Sequence, residues 1–499
     1  MEWKAVELPS QLVRDLHRAN PWWTNESSIG FDLPYHKRWL FEPTLRKLKN
    51  GLARVTVLRG PRQVGKTTLQ RQIIQHLLEV EGVHPKRIFR VQFDELPLLR
   101  GISEPLLALC DWFEARILGK TFNQAARDGE RAYLFLDEVQ NLADWAPQLK
   151  YLVDHSDVRV LLTGSSALRI ERGRDSLAGR ISTLEMGTLT LREIARLRNF
   201  GQIPELLPYN GLSALRNKSF WLELRRLGEQ HSAIRDAAFA AFSERGGYPI
   251  AQVRTDHPWE EIADQLNETV IKRVIQYDLR LGERGRKRDP ILLEELFKLC
   301  CRYAGQAPGQ SIFVNELKLS MSANAGWQRI LAYLRFLNDT LLIRAVPPLE
   351  IRLKKKKGNS KLCLCDHGLR ASWLREVVPL APAPLAQMPH LSDLAGHLAE
   401  SVAGYYLSGL RGLDLAWFPS RDAEPEVDFV ITVGEQRIPV EIKYRTRIDE
   451  HRDTFSLRAF IEKTVYNAPF GILVTLADAP PLDDPRIIAL PLSSLLLLQ

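Results

Sequence analysis

One eight-residue run restricts what this chain can fold into more than any other feature. Gly60-Pro61-Arg62-Gln63-Val64-Gly65-Lys66-Thr67 follows the β-rich run Arg54 to Leu58 and opens a helical stretch at Thr68. A strand, a G-x-x-x-x-G-K-[ST] turn and a helix, in that order, make a loop whose backbone N–H groups can surround phosphate oxygens. Gly60 and Gly65 let the backbone approach closely, because a side chain there would stand between amide and phosphate. Lys66 is expected on the β- and γ-phosphates of ATP and the Thr67 hydroxyl on Mg²⁺, with Thr68 completing the set at the helix start.

A second run fits the first. The apolar run Ala132 to Leu136 ends in Asp137-Glu138. One carboxylate can hold the water shell of Mg²⁺ and the next can polarise an attacking water, which favours hydrolysis over binding alone. Because Arg87 to Phe93 lies between the two motifs, another strand is expected to separate them in the sheet. The run Val158 to Thr163 ends in Thr163-Gly164-Ser165-Ser166, where Thr163 and Ser165 are placed to sense a γ-phosphate or a water. Arg180 is a candidate arginine finger, since a guanidinium stabilises charge developing on a transferring phosphoryl group. Arg172 and Arg174 compete for that role, and an ordinary solvated arginine is the plain alternative.

With 499 residues the chain is long enough for several cores, and its 45% hydrophobic and 26% charged residues are those of a folded protein. Residues 51–190 alternate strand and helix signals, the pattern of a parallel sheet covered by helices, and 1–50 are expected to pack on it. Residues 191–305 read as helical, interrupted by Gly246-Gly247-Tyr248-Pro249 and by the basic turn Gly282 to Arg288. Within 306–378, a short run Ile312-Phe313-Val314 leads into helices. Two strands, Leu341 to Val346 and Lys361 to Cys365, then flank Lys354-Lys355-Lys356-Lys357, which suggests a winged helix-turn-helix. The Pro-rich stretch Pro379 to Pro389 reads as a linker. Beyond it, 390–499 read as a smaller α/β unit.

That unit carries a second constellation. Glu441 and Lys443 lie two apart on one predicted strand and share a face, and Asp428 can meet them from the preceding strand. Two carboxylates beside a lysine make a hard-oxygen Mg²⁺ site next to a cation, suited to activating water at a phosphodiester. Glu400 can add a third carboxylate from the helix before. Alternating charged and apolar residues are also what a half-exposed strand shows by default.

On these motifs the first 190 residues resemble an AAA-type P-loop ATPase. The whole chain is similar to a prokaryotic family that joins such an ATPase to a C-terminal domain of unknown function. The similarity further rests on Asn20-Pro21-Trp22-Trp23, Leu177-Ala178-Gly179-Arg180, Gly246-Gly247-Tyr248-Pro249 and Cys365-Asp366-His367-Gly368-Leu369. Gly396 through Glu400, with Asp428, Glu441 and Lys443, resembles the PD-(D/E)XK restriction-endonuclease-like signature, although Val427 stands where many such nucleases have Pro. The resemblance implies an α/β fold. Its parts would be a P-loop parallel-sheet ATPase of the additional-strand type, a helical lid, a winged helix-turn-helix and a C-terminal restriction-endonuclease-like domain.

Charge and cysteines bound the setting. Net charge is +8, but residues 391–499 hold 10 Lys plus Arg against 16 Asp plus Glu, leaving 58 against 44 before them. A polyanion such as DNA is therefore expected on the first 390 residues, with Lys354 to Lys357 and Arg284, Arg286, Lys287 and Arg288 as contacts. Trp22, Trp23 and Trp327 are read as core or interface anchors more than base platforms, and His367 and His397 as structural. Five cysteines without paired spacing argue against a disulfide framework or zinc ribbon and for a cytoplasmic setting. No apolar run would span a bilayer, so no membrane is expected, whereas AAA-type kinship raises the expectation of a homo-oligomer. Two functions remain open: an ATP-driven enzyme that cleaves nucleic acid, and an ATPase switch whose nuclease-like domain binds without cutting.

Overall fold

The β-rich runs between residues 54 and 186 form strands in a computed structural model of the chain: β1 (Val55–Arg59), β2 (Ile88–Gln92), β3 (Tyr133–Asp137), β4 (Arg159–Gly164) and β5 (Ile181–Glu185). The structure describes residues 7–24, 32–142, 144–164, 177–207, 211–278, 289–321, 326–350, 358–420 and 424–499. They fall into two units, Met1–Met186 and Gly187–Gln499. In the first, the sheet is parallel throughout, in the order β2-β3-β4-β1-β5. β3 is buried along its whole length, and β1, β2 and β4 at all but a terminal residue. That is why they read as continuous apolar runs and not as alternations.

The order corrects one expectation. A strand does separate the phosphate-loop strand β1 from β3, but it is β4, while β2 lies beyond β3 at the edge. Sequence position between two motifs does not fix spatial position in a sheet built by crossovers.

The exposed edge of β2 is closed by the chain's own start. Asn20 Nδ2 donates to the carbonyl of Arg90 at 2.9 Å and Asn20 Oδ1 accepts from the Arg90 N–H at 2.7 Å, so one side chain pairs with the strand as a further residue would. Trp22 and Trp23 each donate an indole N–H to the carbonyl of Ile88, at 3.1 and 2.9 Å. Both rings are buried.

The second unit begins with helices. Thr190 and Glu193 form a capping box that starts Leu191–Leu197. Lys218–Gln230, Ser232–Arg245 and Trp259–Leu266 follow, the last continuing as a wider π-turn through Asn267–Asp278 to be succeeded by Pro290–Arg302. Arg284, Arg286, Lys287 and Arg288 lie outside the described residues. Ile312-Phe313-Val314 is not a separate run. It belongs to the helix Gln310–Met321, in which Phe313 and Leu317, one turn apart, are both buried. The helix Trp327–Asp339 leads to an antiparallel pair, β6 (Ile343–Val346) and β7 (Lys361–Leu364).

β7 is buried along its length, and the hairpin is tied at its base to the next sheet by Leu349 N–H to Trp417 O (2.7 Å) and Trp417 N–H to Pro347 O (3.0 Å). Lys354 to Lys357 lie outside the described residues.

Residues 379–389 are not a loose linker. The N–H groups of Leu380 and Ala381 donate to the Ser243 hydroxyl at 2.7 and 2.8 Å, Tyr444 donates its hydroxyl to the Leu380 carbonyl, and Pro382–Ala386 is helical. Buried backbone groups with partners hold the segment despite its prolines.

The helix Ser392–Gly409 then precedes β8 (Asp414–Phe418), β9 (Val427–Val433), β10 (Gln436–Lys443), β11 (Gly471–Thr475) and β12 (Ile487–Pro491), in the order β12-β11-β10-β9-β8. β8, β9 and β10 are antiparallel neighbours, and β10, β11 and β12 parallel ones. Among the described residues no helix is long and apolar enough to cross a membrane.

Asn20→Ala leaves the N–H and carbonyl of Arg90 without these partners in a buried place. The first unit is expected to lose about 2–3 kcal/mol in denaturant unfolding; a loss below about 0.5 kcal/mol contradicts the clamp.

Candidate functional site

The loop between β1 and the helix Lys66–Glu79 is shaped by backbone conformations that few side chains tolerate. Gly65 has φ 97°, and a Cβ on Gly60 would lie 2.2 Å from the carbonyl oxygen of Met186. Lys66, 6% exposed, folds back within the loop and donates to the carbonyls of Gly60 and Pro61 at 3.0 and 2.7 Å. Arg38 donates to the Val64 carbonyl from outside the motif.

Asp137, 2% exposed at the end of β3, gathers the other polar groups. Its Oδ2 accepts from the Thr67 hydroxyl at 2.9 Å and its Oδ1 from the Thr163 hydroxyl. The parallel order β3-β4-β1 brings these three residues to one sheet end. Arg90 on β2 reaches the same carboxylate at 3.4 Å, while also donating to Gln70 Oε1 at 3.1 Å and Gln92 Oε1 at 2.5 Å. Burial pushes the Arg90 guanidinium down and Asp137 opposes it. Sequence reasoning missed Arg90, because an arginine inside an apolar run reads as strand surface; its signal was a charge where both faces of the sheet are covered.

Glu138, beside Asp137, takes a left-handed backbone (φ 50°) and accepts a hydrogen bond from Gln140 Nε2. Thr68 is half-buried on the first turn of the helix. Ser165, like Arg172 and Arg174, lies outside the described residues.

Arg180 is not brought to this site. Its carbonyl accepts from Val55 N–H at the beginning of β1, whereas the phosphate loop follows the end of β1, and its guanidinium is bound to Asp154 by two contacts at 2.5 and 2.9 Å. As a finger on its own chain's nucleotide it is at the wrong end of the sheet.

Thr67 and Asp137 present hard oxygens side by side, the donor chemistry Mg²⁺ takes together with phosphate oxygens and waters. These residues fit that ion.

The second constellation converges, with an addition. The register Val440 to Phe429 sets Glu441 beside Asp428, and the Ile442 N–H donates to Asp428 Oδ2 at 2.9 Å. Lys443 Nζ donates to Glu441 Oε1 at 2.6 Å, and the Ser456 hydroxyl also faces the buried Glu441 carboxyl. Between Glu400 and Asp428 stands a residue that sequence reasoning did not single out. Lys361, on β7 and 2% exposed, places Nζ 2.9 Å from Glu400 Oε2, 2.9 Å from Asp428 Oδ1 and 3.5 Å from Glu426 Oε1.

Burial pushes the Lys361 amine down, but Asp428 and Glu400 outweigh it and raise it well above the ordinary lysine range. Burial raises Asp428, and Lys361 with the Ile442 N–H overcomes this to hold it below the usual carboxylate value. Burial and the nearby Asp428 charge raise Glu441 to about 7, against the pull of Lys443. Burial and Asp428 likewise raise Glu400.

Glu400, Asp428 and Glu441 therefore do not form the metal-ligand set expected of them. Among the described residues no group of three His, Cys, Asp or Glu is arranged to hold a metal ion. The physical reason is that an ammonium already takes one oxygen of Glu400 and one of Asp428. Mg²⁺ does not fit these residues as they stand.

The other motifs are structural. Asp366 accepts from Gly247 N–H at 2.6 Å and Gly368 N–H at 2.8 Å, and a Cβ on Gly246 (φ 75°) would lie 2.1 Å from its Oδ1. His367 faces the Ser243 carbonyl at 3.2 Å, and the five cysteines are buried and free.

Comparison with known proteins agrees with the first site. Residues 53–195 match a family model described as an AAA domain, and residues 237–379 one described as a domain of unknown function (DUF8612). An uncharacterised protein of Methanocaldococcus jannaschii is 27% identical over 414 residues, covering 81% of this chain and 78% of its own. An uncharacterised protein of Mycobacterium tuberculosis is 29% identical over 336 residues, covering 65% of this chain; the match spans 57% of that relative's length. Among solved structures, the Walker-type ATPase of Pyrococcus abyssi is similar with a TM-score of 0.40 and 14% identity, over 69% of this chain and 99% of that one. The residues that match the AAA domain, 53–195, include the phosphate loop, Asp137 and Thr163.

The Glu441 shift sets a pH dependence. A carboxyl raised from 4.5 to about 7 on folding binds more protons in the folded than in the unfolded state. Its stabilising contribution is present below about pH 4.5 and is lost as pH rises toward 7, worth about 3 kcal/mol at most. Glu441→Gln is expected to flatten the fall in stability of the second unit between those pH values; an unchanged profile contradicts the assignment.

Proposed function

We propose that this protein hydrolyses ATP at the phosphate loop and uses the cycle as a switch acting on nucleic acid, DNA first, with a nuclease-like C-terminal domain that does not cleave. The observation that carries the ATPase reading is the Asp137 carboxylate, held between the Thr67 and Thr163 hydroxyls beside Lys66 and Glu138.

A triphosphate entering the loop exchanges the carbonyls of Gly60 and Pro61 for phosphate oxygens as partners of the Lys66 ammonium. Thr67 and Asp137 would hold Mg²⁺, which supplies neutralisation of phosphate charge. Glu138 then takes a proton from a water whose oxygen bonds to the γ-phosphorus, while the bond from that phosphorus to the bridging oxygen breaks and ADP carries away its electron pair. Thr163 stands where it can register the γ-phosphate. Arg180 could serve as a finger only on a neighbouring copy's nucleotide, so that role goes together with the homo-oligomer reading.

Charge supports a polyanionic partner. Residues 1–390 carry the basic excess, and a three-helix segment with the β6–β7 hairpin has the element order of a winged helix. The nuclease-like reading of the last domain rests on the convergence of Asp428, Glu441 and Lys443. Cleavage is left out because Lys361 neutralises Glu400 and Asp428.

Lys66→Ala is expected to reduce ATP affinity at least tenfold, whereas Glu138→Gln keeps binding and lowers kcat by about 10²-fold or more. Equal turnover in both variants and the unaltered protein would refute the site. Duplex DNA affinity, followed by fluorescence anisotropy, should fall steeply with salt, and changing Lys354 to Lys357 to Ala should reduce the slope of log K against log salt. An unaltered slope removes that segment from the DNA contact.

A further inference from the structure

We propose that Lys361 is the resident cation of the C-terminal carboxylate centre: its ammonium stands where a divalent ion would bind between Glu400 and Asp428, so the fold contains a metal site closed by its own side chain. The inference rests on the convergence of these residues and is independent of whether ATP is hydrolysed.

Distance is the first support. The Lys361 ammonium lies 2.9 Å from one oxygen of each carboxylate, the spacing of a charge-assisted N–H···O bond, whereas Mg²⁺ draws its oxygens to about 2.0–2.1 Å. Both contacts are those of an ammonium.

Anchorage is the second. β7 pairs with β6 on one side, and on the other the loop after Pro290–Arg302 bonds to it through Gly305 N–H to Leu362 O (2.7 Å) and Leu362 N–H to Gln306 O (2.8 Å). The lysine's base is therefore fixed from both sides, and its Nζ lies 5.2 Å from the Phe429 ring centroid and 5.7 Å from that of Trp417. Both rings favour a cation there.

Charge is the third. Glu400, Glu426, Asp428 and Glu441 face Lys361 and Lys443, four carboxylates against two ammonium groups. A divalent ion in place of the Lys361 ammonium would offset more of that charge than the ammonium does. This is why removing Lys361 should open a cation site and not an inert cavity. Removal also strands two buried carboxylates, so the variant is expected to need the ion for full stability.

The test uses the full chain and Mn²⁺ alone, with bound ion counted by electron paramagnetic resonance. The unaltered protein and Glu441→Gln should bind the same number of Mn²⁺ ions. Lys361→Ala should bind one more per chain, lost again in the Lys361→Ala, Glu441→Gln double variant, and Mn²⁺ should raise the Tm of Lys361→Ala by more than it raises that of the unaltered protein. If Lys361→Ala fails to fold, Lys361→Met, which keeps the stem's volume, takes its place. A Mn²⁺ ion lost from the unaltered protein on Glu441→Gln overturns the proposal, as does a folded Lys361 variant that gains no ion.

Discussion

A carboxylate withdrawn from water must be given charge or hydrogen-bond donors by the fold, and both centres of this protein are solutions to that one constraint. At Asp137 the donors are two hydroxyls and, at longer range, the Arg90 guanidinium. The hydroxyls are neutral and the guanidinium stands off at 3.4 Å, so the carboxylate is less fully neutralised than Asp428 is. At Asp428 the donor is the Lys361 ammonium, backed by the Ile442 N–H, and the charge is spent inside the protein. In the proposed function the first arrangement would hold Mg²⁺. The second closes a carboxylate against it.

The same logic explains the motifs that carry no chemistry. Asn20 completes the edge of β2 and thereby fixes the backbone of Arg90, whose side chain reaches Asp137. The Asn-Pro-Trp-Trp run is thus linked to Asp137 through a strand edge. In the second unit, Asp366 gathers the amides of Gly247 and Gly368, joining the Gly-Gly-Tyr-Pro turn to the start of the helix that follows β7. β7 in turn bears Lys361, so the integrity of this clamp bears on where that ammonium stands.

Elements whose signal is local were legible in the sequence. Gly60 to Thr67 had to be a phosphate loop because glycines and a lysine at those spacings answer one need, and four strands of the first sheet were visible as β-rich runs. Asp428, Glu441 and Lys443 were legible as a group because alternation along β10 and the short return from β9 leave them little choice of neighbour. What depends on long-range pairing was hidden. The place of β4 between β1 and β3 is set by crossovers, and Lys361 is 67 residues from the carboxylate it binds. Its position in a short β-run beside four other lysines gave it the look of a hairpin base. Arg180 misled for the complementary reason: its Leu-Ala-Gly-Arg setting suggests a finger, but the parallel pairing of β1 with β5 carries it to the far end.

In the proposed function one carboxylate centre takes a divalent ion, while the other already holds the Lys361 ammonium. Crystals of the full chain grown with Mn²⁺ and a non-hydrolysable ATP analogue test it directly through anomalous scattering. A manganese peak is expected beside Thr67 and Asp137 and none between Glu400 and Asp428, where the Lys361 ammonium should remain. A manganese peak bridging Glu400, Asp428 and Glu441 with Lys361 turned aside would contradict it.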